Sequence, residues 1–369
     1  MNLLKKNRLK SRIAWVVALL FAFQFSFASG HEGHEEEEGK PVDVKELVFG
    51  HINDAYSWHI ATIGDTHIEI PLLCIVYGQN GLDVFCSSNL GHAGHYTEYK
   101  GYKIAEKGHA NEGRIIEVAT KERPWDFSIT KNVLSLFISC GLLLWIFLSI
   151  AGKYKKNPMS APRGLQGLLE PLIVSLHDDI IKPCVGKNYA KFAPYLLTAF
   201  FFIFLNNLLG IIPIFPGGAN LTGNIAVTFV LALITFLLTN FYGTKAYFEE
   251  IYNPEVPTWL KLPIPIMPFI EFIGVFIKPL ALMIRLFANM LAGHMMVLVL
   301  IGLIFIFAAI NPIAGYSVSL LSVALVVFMT LLECLVCFIQ AYVFTILSAL
   351  FIGLAQVEPH HHSNEVKKN

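Results

Sequence analysis

The chain has 369 residues, a mean hydropathy of +0.58, 55% hydrophobic side chains and only 15% charged ones. That balance excludes an ordinary soluble enzyme and points to a protein with several membrane crossings. Its 27 basic residues match its 27 acidic ones, so the overall charge gives no case for nucleic-acid binding, and the information lies in where the charges sit.

In chain order, residues 1–29 read as a secretory signal. Lys5, Lys6, Arg8, Lys10 and Arg12 precede an apolar run over residues 13–27, and the small residues Ala28, Ser29 and Gly30 follow. Cleavage is expected there; the competing reading is an uncleaved first span, since the run is only slightly short of spanning length. The stretch HEGHEEEEGK comes next. His31 and His34 are potential metal contacts, but so acidic a segment reads as a solvated tail, and neither a metal site nor a cofactor is expected.

Residues 30–126 are expected to form a small β-rich exported domain with that acidic start. THIEIPLLCIVYG, LDVFCSS and GRIIEVAT have strand-like composition. Cys74 and Cys86 fall in two of these stretches, in a compartment that permits disulfides, and both a bridge and a pair of free thiols are open readings. Cys334 and Cys337 form a C-x-x-C inside an apolar run with no second pair to complete a metal site, and read as packing residues.

Apolar segments at residues 133–151, 194–215 and 225–242 each approach the ~20 residues needed to cross the hydrocarbon core. Two much longer ones, 268–310 and 317–355, are separated by the turn NPIAGY. The expected fold is therefore an all-α polytopic membrane protein with about five membrane helices over residues 127–355, the last two forming a long hairpin. As continuous helices of around 40 residues they reach about 60 Å, twice the core thickness, and must lie steeply inclined. The loop after the first crossing carries Lys153, Lys155, Lys156, Arg163, Lys182, Lys187 and Lys191, whereas PGGANLTGN has no charge. By the positive-inside rule the first loop and the tail, residues 356–369, are cytoplasmic and the N-terminal domain is outside. Within that loop GLQGLLEPLIVSLHDDIIKPCVG looks amphipathic, a helix lying on the inner surface or a plain cytoplasmic one.

The segment KPLALMIRLFANMLAGHMMVLVLIG holds a permanent charge, Arg285, in apolar surroundings. On a helix Glu271, Lys278, Arg285 and Asn289 share one face with Ala281, Ala288 and Ala292, small residues that let another helix approach closely. On the last segment Thr330, Glu333, Cys337 and Gln340 form a second stripe, and His294, on the far side of its helix from Arg285, is positioned to face Glu333 as a proton relay. An Arg285–Glu333 ion pair that merely fixes packing is the plainer reading. A central charge costs about 2.5–3.5 kcal/mol on insertion scales, which makes several such groups an expensive route to packing.

KPLALMIRLFANMLAGH resembles the signature of subunit a of the F-type ATP synthase membrane sector; FLNNLLGIIP resembles that family's earlier helix motif and ECLVCFIQAYVFTIL its final one. The resemblance implies a stator subunit that is not an enzyme by itself and carries ion translocation rather than ATP chemistry. It also implies multi-pass placement in a bacterial inner membrane, beside a ring of c subunits and with b-type peripheral stalk subunits, the remaining ATP synthase complex and lipid as partners. Arg285 falls on the family's essential arginine, and Asn289, Glu271, Lys278 and Gln340 on family positions. At His294 and Glu333 some bacterial relatives have the acid first and the histidine second. At Asn207 some carry an acid, so that helix contributes the amides Asn206 and Asn207. The implied proton path runs past Asn206, Asn207, His294, Glu333 and Gln340 to a ring carboxylate, and leaves near Glu271. The N-terminal domain is larger than is usual in the family.

A secondary transporter binding an anionic substrate at Arg285 is the alternative. It predicts internal repeats with Gly/Pro-broken helices in matching positions, which the sequence lacks. A membrane-anchored receptor leaves Arg285, Glu333 and Gln340 unexplained.

Overall fold

The computed structural model describes residues 54–63, 66–79, 81–92, 95–105, 109, 111–156, 161, 164–212, 217–252 and 266–356. The expected signal, the acidic start with His31 and His34, Arg163 and the tail beyond Gln356 lie outside them. The described chain divides into two compact units. One holds the residues up to Ile138 with Leu209–Asn220 and Ala292–Cys334; the other holds Ser139–Leu208, Leu221–Leu291 and the chain from Leu335 on.

The first unit contains the β-rich part, as nine short strands: β1 (Ser57–Ile63), β2 (Thr66–Pro71), β3 (Leu73–Gly78), β4 (Gly81–Cys86), β5 (Gly91–His92), β6 (His95–Tyr96), β7 (Tyr102–Ile104), β8 (Ile115–Glu117) and β9 (Trp125–Asp126). They pair as small antiparallel sheets, β1 with β2, β5 with β6, β7 with β8, and a three-stranded sheet in the order β4-β3-β9. Tyr56, Cys74, Val76, Phe85, Leu90, Tyr102, Ile104 and Ile115 form its core. Tyr56 ties the layers together: its hydroxyl donates to Asp126 Oδ2 at 2.5 Å and accepts from Ile115 N at 3.4 Å. Burial and the Asp126 carboxylate raise the Tyr56 phenol above its ordinary range, which keeps it a donor.

The register also resolves the two cysteines. Cys74 pairs with Phe85 and Leu73 with Cys86; paired residues share a face and successive residues alternate. Cys74 therefore points into the core and Cys86 to the other side of the sheet, and both thiols are free.

Among the described residues eight α-helices follow: α1 (Lys131–Lys156), α2 (Leu165–Ser175), α3 (Lys182–Val185), α4 (Tyr189–Ile211), α5 (Ile225–Phe241), α6 (Lys245–Tyr252), α7 (Ile266–Ile310) and α8 (Pro312–Ala355). Four helical runs among the described residues are long and apolar enough to cross a membrane: Lys131–Lys156, Leu165–Ile211, Met267–Ile310 and Gly315–Ala355. A fifth appears if α5 and α6, bent by 100°, count as one broken span. Lys153, Lys155 and Lys156 close α1, where cations complement the helix dipole. Asn224 caps α5, its side chain accepting from Ala226 N at 3.0 Å.

The stretch expected to be amphipathic is helical but irregular. A π-helical turn, Leu176–Ile181, links α2 to α3, and Gly186 at φ 77° ends α3 in a conformation that favours glycine. Its apolar side is buried in the core of the second unit: Leu176, Ile180, Ile181 and Val185 pack with Phe192, Leu196 and Phe200 of α4, Leu282 and Leu286 of α7, and Phe344 of α8. Polar contacts reinforce that core. Tyr195 and Thr235 hydroxyls meet at 2.7 Å, and Thr235 meets Ser348 at 3.3 Å, linking α4, α5 and α8.

The two long helices have 45 and 44 residues, so each extends about 66 Å. The six-residue turn expected between them is shorter. Asn311 alone connects them, its side chain accepting from Ile313 N at 2.9 Å, while Pro312 takes the first helical position, where its missing N–H costs nothing. Gly315 permits the tight return, since a Cβ there would lie 2.8 Å from the Ala308 Cα.

Candidate functional site

In the first unit α7 and α8 bring the predicted relay pair together. His294 Nδ1 lies 2.7 Å from Glu333 Oε1, and the Glu333 side chain is buried. Against an ionised carboxylate the imidazole N–H donates; with the proton on the acid the direction reverses, so one short contact serves either protonation state. Two glycines, absent from the sequence reading, make room for it. A Cβ on Gly293 would sit 2.8 Å from Glu333 Oε1, and one on Gly210 would sit 3.5 Å from His294 Nε2. Gly293 did leave a signal, because a glycine inside an apolar helix costs about 1 kcal/mol against alanine and asks for a packing reason.

In the second unit three of the predicted amides, Asn206, Asn207 and Gln340, are buried and half-satisfied, whereas Asn289 is exposed. Asn289 Nδ2 donates to Gln340 Oε1 at 2.6 Å, joining α7 to α8. Asn206 Nδ2 donates to Phe202 O at 2.7 Å. Asn207 is fully buried and accepts through Oδ1 from Thr222 Oγ1 at 2.6 Å. Among the described residues Asn206 Oδ1, Asn207 Nδ2 and Gln340 Nε2 have no protein partner. A buried polar atom without a partner costs about 1–3 kcal/mol, so three of them is a costly arrangement for packing alone. Thr222 was not legible in the sequence: it sits in a loop without periodicity.

Arg285 is placed differently. It is exposed on α7, and the same bare face carries Lys278, Ala281, Ile284, Ala288 and Asn289. No ion pair to Arg285 forms among the described residues. Glu271, one turn and a half into α7, is half-buried. The carboxylate that sequence reasoning offered as a plain structural partner, Glu333, has His294 as its short contact instead.

Long apolar helices that carry buried amides, an acid–imidazole pair and a bare cationic face define a multi-pass helical membrane protein with ionisable groups at membrane depth. Residues 133–353 match the ATP synthase A chain family, and the chain belongs to that family. Residues 47–127 match a separate domain of unknown function. ATP synthase subunit a of Chlorobium phaeobacteroides is 43% identical over 248 residues, covering 65% of this chain and 69% of that protein. The subunit a of Chloroherpeton thalassium is 41% identical over 243 residues (64% and 69%), and that of Myxococcus xanthus 41% over 246 residues (65% and 76%).

Proposed function

We propose that this chain is the stator proton-channel subunit of an F-type ATP synthase in a bacterial inner membrane. It supplies two half-channels and the arginine that exchanges protons with carboxylates on a rotating c-ring, coupling proton flow to rotation and ATP synthesis made elsewhere in the complex. Its other partners are b-type peripheral stalk subunits and lipid. The N-terminal domain faces the periplasm and the tail the cytoplasm, an orientation that the lysine-rich loop after α1 supports.

The observation that carries this reading is the bare Arg285 face. A guanidinium that cannot lose its proton, flanked by Ala281 and Ala288 on an exposed helix face, calls for a close helical partner bearing an acid. A ring carboxylate is that partner. Protons enter past Asn206, Asn207, His294, Glu333 and Gln340, whose unsatisfied amide atoms suit a water-filled path. They neutralise a ring carboxyl, which then turns through lipid at little electrostatic cost. On the other side, near Glu271 and Lys278, the approach of Arg285 lowers the carboxyl pKa and expels the proton. The arginine also seals the two half-channels from each other, since it passes no proton itself. Steep inclination of the 45- and 44-residue helices lets them follow a curved ring.

Imaging the purified complex tests this placement. The expected result is a ring helix within contact distance of Ala281, Arg285 and Ala288; a lipid-facing or peripheral-stalk-facing Arg285 would overturn it.

A further inference from the structure

The β4-β3-β9 sheet buries one face in its unit and is apolar on the face it leaves bare. One face, with Cys74, Val76 and Phe85, is buried in the core of its unit. The register puts Leu73 and Tyr77 of β3, Leu82 and Val84 of β4, Trp125 of β9 and Phe127 just beyond it on the other face. Those side chains are bare: Tyr77 is 55% exposed, Leu82 64%, Phe127 63% and Trp125 73%. An antiparallel sheet with one solvated face alternates apolar with polar residues, whereas this one has the pattern of a sheet covered on both sides.

We propose that this second face is covered by lipid, seated in the polar–apolar boundary of the bilayer beside the N-terminal end of α1. Two observations select that occupant. The first is attachment. β9 continues as a ladder, Phe127 N to Ile75 O and Ile129 N to Leu73 O, both at 2.9 Å, and α1 begins two residues later at Lys131, whose N–H donates to Ala55 O at 2.9 Å. No flexible linker separates sheet from span, so Phe127 lies within about 14 Å of the helix start along the chain. The second is chemistry. The face carries no charge, and it displays a tryptophan and a tyrosine, whose apolar bodies and polar tips suit the membrane–water boundary. The bare apolar surface resumes on α1 at Phe137.

The test is spin-label depth measurement on the full chain in its complex, reconstituted in lipid nanodiscs. A nitroxide is placed at Leu82→Cys or Trp125→Cys, with the native cysteines replaced, and at exposed Ser88→Cys as the water-facing reference. The expected result is an oxygen-to-nickel-chelate accessibility ratio severalfold higher at positions 82 and 125 than at 88. Equal ratios at all three positions would mean that the face stands in water and would overturn the proposal. So would low access to both relaxants at 82 and 125, which would mean that protein covers it, whether another subunit, a second copy or another segment of this chain.

Discussion

His294 and Glu333 meet at 2.7 Å across the α7–α8 hairpin, with Gly293 leaving the space into which the carboxylate fits. Residues that hand a proton to each other act as one unit, so their losses are not additive. Glu333→Gln and His294→Ala are each expected to slow proton flux severalfold, and the double variant to cost clearly less than the product of the two. ATP-driven acidification of membrane vesicles, normalised to assembled complex, measures this. Strictly multiplicative losses would show that the two side chains do not share a step.

The same geometry separates two glycines. Gly293→Ala places a methyl 2.8 Å from Glu333 Oε1 and 3.1 Å from its Cδ, so the carboxyl must move. Gly210→Ala meets His294 Nε2 only at 3.5 Å, an ordinary contact. Flux per assembled complex should fall severalfold for Gly293→Ala, although alanine favours the helix by about 1 kcal/mol, and should stay within about twofold for Gly210→Ala. Equal behaviour of the two variants would contradict the packing described.

Thr222 donates to fully buried Asn207, whose other amide atom has no protein partner among the described residues. Thr222→Val strips the remaining bond and is expected to lower stability by about 1–3 kcal/mol, while Thr222→Ser keeps the donor. A thermal midpoint of the purified complex for the valine variant as high as that of the serine variant would show that the bond is inert.

Burial pushes the Cys74 thiol up to about 12, with smaller raising contributions from Asp126 and Cys86 and an opposing one from Ser128. In the unfolded chain it ionises near its ordinary value of about 8.5. The folded pKa is the higher one, so the stability this neutral thiol contributes is complete below about pH 8.5 and declines as pH rises toward 12. At pH 9 iodoacetamide should modify half-exposed Cys86 and spare Cys74, under oxidising and reducing conditions alike. Recovery of a Cys74–Cys86 disulfide peptide would contradict the sheet register.

Much of the membrane part was legible because lipid imposes simple rules. Two unbroken apolar runs of spanning length or more dictated α7 and α8, and spacings of seven and then four put Lys278, Arg285 and Asn289 on one face of α7. His294 and Glu333 were legible as a pair because an ionisable group at that depth needs a partner. What escaped depends on chain separation rather than on period. β9 is only Trp125–Asp126, too short to alternate visibly, yet it completes a sheet with β3 some fifty residues earlier. Thr222 finds Asn207 from a loop, and NPIAGY looked like a six-residue turn although Pro312 starts a helix as readily as it ends one. The π-helical turn at Leu176–Ile181 has no sequence mark, since one inserted residue only shifts which apolar side chains face the core.

The central claim is that Arg285 works by holding a permanent charge against a partner carboxylate. Proton pumping by vesicles that carry Arg285→Ala or Arg285→Lys, with assembly of the complex checked in parallel, tests it most directly. The expected result is an assembled complex in which the alanine variant pumps no protons and the lysine variant is nearly as impaired, because lysine keeps the charge but can release its proton. Normal pumping by the alanine variant in a fully assembled complex would contradict it.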